Sequence, residues 1–437
     1  MFRFKTAHHR TGSLCLLVVY TIFPLGSALG AGQDAAPYGE GFVRAGVQWP
    51  EGGPVLSTPA PSDKDMDVRA FDDQLDQLEI EQGPYGAGLA ERLTDLGRYH
   101  EARGDYEQAL AFYARALHNV RVNDGLYSER QVPLVRELLN LYRRAEEYEA
   151  LYDRYDYFFR LYGSGQPPYD EVRMRATLEY LRWQREAYRR GLRDSGRDLL
   201  RLYERTRDLL NTVSSTPAVS DDWRRELTFS QLRNLYLLER DVQPFVEVNG
   251  VGASVASPFP STQNNDRDFA RQRLESIDRS ILSRGRRLLE ELLVTLPGID
   301  HHGRALVYRE LGDWYQWNGN SRRAQEQYQA AMENLVSAGL EHLVEEWFGE
   351  PVELPDNGVF WRGPDDAGEW VSVNVVLSVS DQGRPRLESV AVADPTDEPA
   401  ARRLQRWLSD TRFRPVFRGG EPLATDAFER LYRVYRD

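Results

Sequence analysis

Two stretches far apart in the chain carry the same spacing of small and aromatic residues. In the first, Leu96-Gly97 is followed by Gly104-Asp105-Tyr106, Ala109, Tyr113 and Ala116. In the second, Leu311-Gly312 is followed by Tyr315, Gly319-Asn320, Ala324, Tyr328 and Ala331. Gly97 to Ala109 and Gly312 to Ala324 are both steps of twelve, and Ala–Tyr–Ala then advances by four and three in each copy. Steps of three and four put residues on one helix face. Gly or Ala at a helix crossing lets two axes approach toward the low end of ~8–10 Å. A Gly ahead of Asp or Asn ends the first helix, because it tolerates a left-handed backbone. The pattern therefore predicts paired antiparallel helices stacked in series, with Tyr113 and Tyr328 filling the space between hairpins.

This spacing resembles the tetratricopeptide repeat (TPR). The likeness is strong over about 90–123 and 305–338. It is degenerate over about 132–165, where Leu138, Tyr142, Tyr148 and Tyr155 keep their offsets but Leu139, Leu151 and Phe158 replace small residues. A further weak copy ends with Gly285, Leu289, Leu292 and Pro297. The resemblance implies a solenoid whose first helices line a concave groove for a protein or peptide partner. The groove positions it implies are Thr94, Arg98 and Glu101, then Arg136, Asn140 and Arg143, then Arg309, Asp313 and Gln316. Helical spacing puts Trp317 near the same side. Between 172 and 240 the sequence reads as amphipathic helices built on Leu178, Leu181, Trp183, Leu199, Tyr203, Trp223, Leu232 and Tyr236, with no secure repeat register. Turn-rich breaks are expected at Asn211 to Ser220 and at Asp241 to Asn265.

From Trp370 the period changes to two. Val371, Val373, Val375, Leu377 and Val379 alternate with Ser372, Asn374, Val376, Ser378 and Ser380, which predicts a strand with one buried face. An Asp381-Gln382-Gly383 turn leads to a second strand, Leu387 to Ala393. A helix over Pro399 to Asp410 groups Ala400, Leu404, Trp407 and Leu408, and Leu423 to Tyr435 reads as a third strand. The valine-rich strand, Asp-x-Gly turn, Trp407, Phe413-Arg414-Pro415 and Gly419-Gly420, in that order, resemble the TonB C-terminal domain family. That resemblance covers about 370–435. It implies a helix on a three-stranded antiparallel sheet whose last strand offers an open edge to a partner strand, as with an outer-membrane transporter.

The N-terminus is organised for export. Arg3, Lys5 and Arg10 precede an apolar run from Leu14 to Leu25, and Ala28-Leu29-Gly30 offers small residues for cleavage. The run is shorter than the ~20 residues that span a bilayer. Cys15, the single cysteine, would leave with that segment, so disulfides and thiol chemistry are excluded from the mature chain and a bacterial periplasm is the expected compartment. The alternative is an uncleaved inner-membrane anchor serving a TonB-like energy transducer or transport accessory, the one case that brings membrane contact. A net charge of −13 argues against nucleic acid, since neutralising phosphates needs clustered cations.

No catalytic pattern emerges. There is no phosphate-cradling glycine loop and no Gly-x-Ser-x-Gly elbow. His301-His302 reads as a solvated turn and His100 as packing, and Glu146, Glu147 and Glu149 read as a solvated helix face. No cofactor and no metal are implied. The expected fold is mainly α: a signal peptide over 1–30, a flexible linker over 31–67, a TPR-like helical solenoid over 68–348, a linker over 349–369 and a TonB C-terminal-like α+β domain over 370–437. The expected role is an exported adaptor or scaffold that binds proteins.

Overall fold

The computed structural model describes residues 42–44, 68–86, 88–192, 195–250, 272–360 and 370–435. The expectations for 1–30 and for most of 31–67 lie outside those residues. The chain is mainly helical with a small antiparallel sheet at its C-terminal end. A short strand, β1 (Phe42–Arg44), is followed by α1 (Val68–Gln82), α2 (Leu89–Ala102), α3 (Tyr106–Asp124), α4 (Val132–Arg144), α5 (Tyr148–Leu161), α6 (Glu171–Arg189), α7 (Ser195–Ser214) and α8 (Asp221–Gly250). Then come a helix over 272–278 (α9), α10 (Ile281–Thr295), α11 (His301–Trp317), α12 (Ser321–Ser337) and α13 (Glu341–Phe348).

Short turns fold α2 onto α3, α4 onto α5 and α11 onto α12. Gly104 and Gly319 end the first helices of two hairpins at φ +78° and +76°, in the left-handed region. Asp105 and Asn320 then cap the second helices by accepting from Gln108 N and Arg323 N. The crossings are as tight as the sequence requires. A Cβ on Gly97 would sit 2.5 Å from the Tyr113 ring, and one on Gly312 2.4 Å from that of Tyr328. Ala109, Ala116, Ala324 and Ala331 are fully buried there.

Several boundaries differ from the sequence reading. The helix α7 continues through Ser214, and α8 runs past Asp241 and Pro244 to Gly250, so helical backbone replaces the start of both expected breaks. Residues 251–265 lie outside the described set. His301 and His302 are no turn: they open α11, whose first turn is capped by Asp300.

The C-terminal part holds β2 (Val352–Glu353), β3 (Trp370–Val379), β4 (Pro385–Val392), α14 (Glu398–Asp410), β5 (Phe413–Arg414), β6 (Val416–Arg418), β7 (Glu421–Leu423) and β8 (Phe428–Tyr435). The expected third strand is two, with a β6–β7 hairpin turning at Gly419 and Gly420. The main sheet has four strands, not three, in the order β1-β8-β3-β4. Strand β1 comes from the stretch read as a flexible linker and pairs antiparallel with β8, matching Phe42 to Val434 and Arg44 to Tyr432. One face of β3 is buried along its length, in the same hydrophobic cluster as Leu404 and Leu408 of α14.

The expected linker over 349–369 is also part of the fold where it is described. Strand β2 pairs with β5, and Glu353, Leu354, Val359 and Phe360 are buried. One hydrophobic cluster runs from Leu199 through α8, α10, α11 and α12 to Val434 of the sheet, and a second occupies α1 to α7 with Leu227 of α8. The last hairpin and the sheet therefore share a core, and everything described belongs to one compact unit, Asp34–Asp437.

Candidate protein-binding surfaces

The polar stripe on the first helices, implied as a groove by the repeat resemblance, is engaged within the chain. Arg98 of α2 donates to Glu137 of α4 at 3.0 Å, and Arg144 of α4 returns to Glu101 of α2 at 2.6 Å. Arg136 of α4 reaches Glu179 of α6 at 3.1 Å, and Arg143 grips Glu186 through two bonds of 2.5 and 3.1 Å. Two of these pairs join α2 to α4 and two join α4 to α6. Thr94 donates to the backbone oxygen of Ala90 in its own helix, and Asn140 is buried. Glu101 also accepts from the Tyr113 hydroxyl at 2.8 Å.

Electrostatics follow the pairing. Burial opposes the charge on Glu186, but Arg143, Arg182 and Arg190 outweigh it and hold its carboxyl down at about 2. Burial raises the Glu101 carboxyl, with the Tyr113 hydrogen bond and Arg144 offsetting part of the effect. Removing one partner of so buried a pair strands the other charge in low dielectric.

In the last hairpin the same positions meet the C-terminal sheet. Arg414 of β5 sets its guanidinium against Asp313 of α11 as a fork, Nε to Oδ1 at 2.9 Å and Nη2 to Oδ2 at 2.6 Å. Its Nη1 donates to the Trp347 carbonyl at 2.9 Å, and the Tyr328 hydroxyl donates to Asp313 at 2.8 Å. The two charged side chains are 1% and 2% exposed. Burial opposes the charge on Arg414, but Asp313 outweighs it and lifts the guanidinium above the ordinary arginine value.

Gln316 donates to the backbone oxygen of Gln382 in the β3–β4 turn at 2.6 Å. Gly383 is required in that turn. Its φ is +70°, and a Cβ there would fall 2.0 Å from Phe413 O and 2.2 Å from Gln316 Nε2. Arg309 lies over the Trp347 ring at 4.3 Å. Asp313 and Gln316, read from the sequence as offered to a partner, are thus covered by the chain's own sheet domain. The reason is tertiary: β5 and the Asp-x-Gly turn dock on α11 and desolvate it.

Trp317 packs against Phe360 and Tyr236, and its Nε1 donates to Glu239 at 2.8 Å. Burial pushes the Glu239 carboxyl up to about 7; the Trp317 hydrogen bond works against the rise and Asp278 adds to it.

The second surface is the edge of β8. The pairing with β3 is continuous from Phe428 to Tyr435. Two side chains anchor the strand from beneath, since Arg430 donates to the Glu353 carboxylate at 2.6 Å and the Tyr432 hydroxyl bonds to the same oxygen. On the outer side, the three residues of β1 pair with Tyr432 to Val434, while Leu431 is 46% exposed.

Sequence reasoning missed the inter-hairpin ladder, although its signal was present as Arg and Glu about one repeat apart. It also missed a cleft of about 570 Å³ beside α5, α6 and α7. There the Tyr180 hydroxyl donates to Asp156 at 2.7 Å and accepts from Arg205 at 2.6 Å. Among the described residues, no group of three or more His, Cys, Asp or Glu could hold a metal ion, and no helix is long and apolar enough to cross a membrane. No family model matches the chain, and no curated protein is significantly similar to it.

Proposed function

We propose that this chain is an exported adaptor of a bacterial envelope that acts by binding proteins: a TPR-like helical array joined to a sheet domain similar to the TonB C-terminal domain. The observation that carries the reading is the seam on α11. There Asp313 and Gln316, at positions that face ligands in such arrays, hold a folded protein module by a buried ion pair and a backbone hydrogen bond. A helix face chemically suited to a protein surface supports protein as the ligand class. The partner-facing surface in this reading is the stretch of β8 that β1 leaves uncovered, around Leu431, because exposed edges recruit strands.

Two measurements test this. The mature chain, released by osmotic shock, should begin near Ala31; an inner-membrane chain that still begins at Met1 would favour the anchored transducer instead. A photo-crosslinking residue at Leu431 should capture a discrete envelope protein, and one at Tyr127, 73% exposed on the loop after α3, should not. Absence of any protein adduct at Leu431 would refute the binding role of the edge.

A further inference from the structure

The cleft beside α5, α6 and α7 has a volume of about 570 Å³, within the ~300–1,000 Å³ of ordinary ligand sites. Its floor is apolar. The Phe159 and Tyr180 rings lie parallel with centroids 4.0 Å apart, and Leu181 and Leu209 complete the buried lining. One wall is the turn after α5, where Gly163, Ser164 and Gly165 take φ of +82°, +55° and +76°. A Cβ on Gly165 would sit 3.3 Å from Phe159 and 3.5 Å from Leu209, so glycine lets the turn close down on that floor. Ser164 adopts the left-handed backbone without glycine's freedom, and its neighbours must sustain that strain.

The charges of the cleft are unevenly matched. Nearby, Arg173 pairs with Asp170, Arg201 with Asp198 and Arg207 with Asp208. Two arginines that line the cleft have no ion-pair partner among the described residues. Arg205 gives one N–H to the Tyr180 hydroxyl, and Arg160 lies 5.9 Å from the Tyr157 ring. Both carboxylates of the lining are already engaged, Asp156 by the Tyr180 hydroxyl and Asp208 by Arg207. The guanidinia of Arg160, Arg205 and Arg207 thus stand against the carboxylates of Asp156 and Asp208, which leaves one positive charge. A single carboxylate matches that surplus, whereas a phosphate dianion overshoots it beside Asp156. Guanidinium forks also fit carboxylates geometrically. Gln166, exposed in the same lining, offers an amide donor and acceptor, the complement of a peptide group.

We propose that this cleft binds the C-terminal end of a partner protein's chain: its terminal carboxylate on Arg160 and Arg205, its last side chain, apolar or aromatic, on the Phe159–Tyr180 floor, and its preceding peptide group on Gln166. The proposal rests on the reading that the chain binds proteins, and it assigns them a site made of different residues from the β8 edge.

The probe is an immobilised library of peptides with random C-terminal residues, each made with a free and with an amidated C-terminus, challenged with the full chain. The chain should select free carboxylates that follow an apolar or aromatic side chain. Amidating a selected peptide should weaken binding roughly tenfold or more, because a charged hydrogen-bonded pair is lost. Arg160→Gln and Arg205→Gln should each weaken it by a similar factor. Arg160 is exposed, so Arg160→Gln should leave the thermal melt unchanged and report on binding alone. No selection from the library, equal binding of the amidated peptides, or full binding by either variant overturns the proposal. N-acetylphenylalanine, titrated against a selected peptide, separates a peptide end from a free small acid. Displacement only at far higher concentration than the peptide itself supports the peptide; displacement at the same concentration overturns the assignment to a protein partner. An envelope adduct at Leu431 with no peptide selected would sink the cleft and leave the adaptor reading standing. A selected, carboxylate-dependent peptide with no adduct at Leu431 would refute the edge and uphold the cleft.

Discussion

Replacing Asp313 with Ala should be among the most damaging single changes in the chain. The substitution removes both acceptors of the Arg414 fork and the acceptor of the Tyr328 hydroxyl. Arg414, 1% exposed, would keep the Trp347 carbonyl and Asp356 at 3.5 Å, neither of which replaces the fork. Breaking a buried pair from one side costs roughly 3–5 kcal/mol, and the orphaned tyrosine hydroxyl adds about 1–3 kcal/mol. Arg414→Met should cost a similar amount, by leaving Asp313 buried without its cation. The pair is separable from its neighbours in a double-mutant cycle. If the loss comes from stranded charge, Asp313→Ala with Arg414→Met should cost far less than the two single changes added together, with a coupling of about 2–3 kcal/mol. Urea denaturation followed by tryptophan fluorescence reads each variant. A loss under about 1 kcal/mol for Asp313→Ala, or simple additivity in the cycle, would show that the seam is solvated and that the sheet domain is not locked to α11.

Two further changes probe the core and the titrating carboxyl. Gly312→Ala would place a Cβ 2.4 Å from a Tyr328 ring held by Asp313, so it should destabilise by about 1–3 kcal/mol in a thermal melt even though helix propensity alone favours Ala by about 1 kcal/mol; a stabilised variant would refute the close crossing. Glu239 titrates at about 7 in the folded chain against an ordinary 4.5, so the folded state holds the proton more tightly, and the resulting stability is complete below pH 4.5 and lost as pH rises through 7. Glu239→Gln should therefore match the unaltered chain at pH 4.5 and exceed it by about 2–3 kcal/mol at pH 8, and a constant difference across that range would exclude the titration.

The helical hairpins and the period-two strand were legible because each depends on local periodicity and on the size of residues at crossings. Gly97 must face Tyr113, and Gly312 must face Tyr328, wherever else the chain goes. The alternation from Val371 to Val379 likewise dictates one buried face whatever lies on it. The partners of those faces were not legible. Asp313 and Gln316 looked like groove residues because a helix presents the same polar stripe whether a foreign protein or its own sheet will cover it. The outer strand of the sheet was hidden in a Gly- and Pro-rich stretch, because three residues of strand carry no periodicity and their pairing is written only in the backbone of β8. Local pattern thus determined the helical hairpins and the long strand, and which side of each is apolar. Long-range docking of charged and edge groups, whose energy depends on what desolvates them, decided which surfaces stay open.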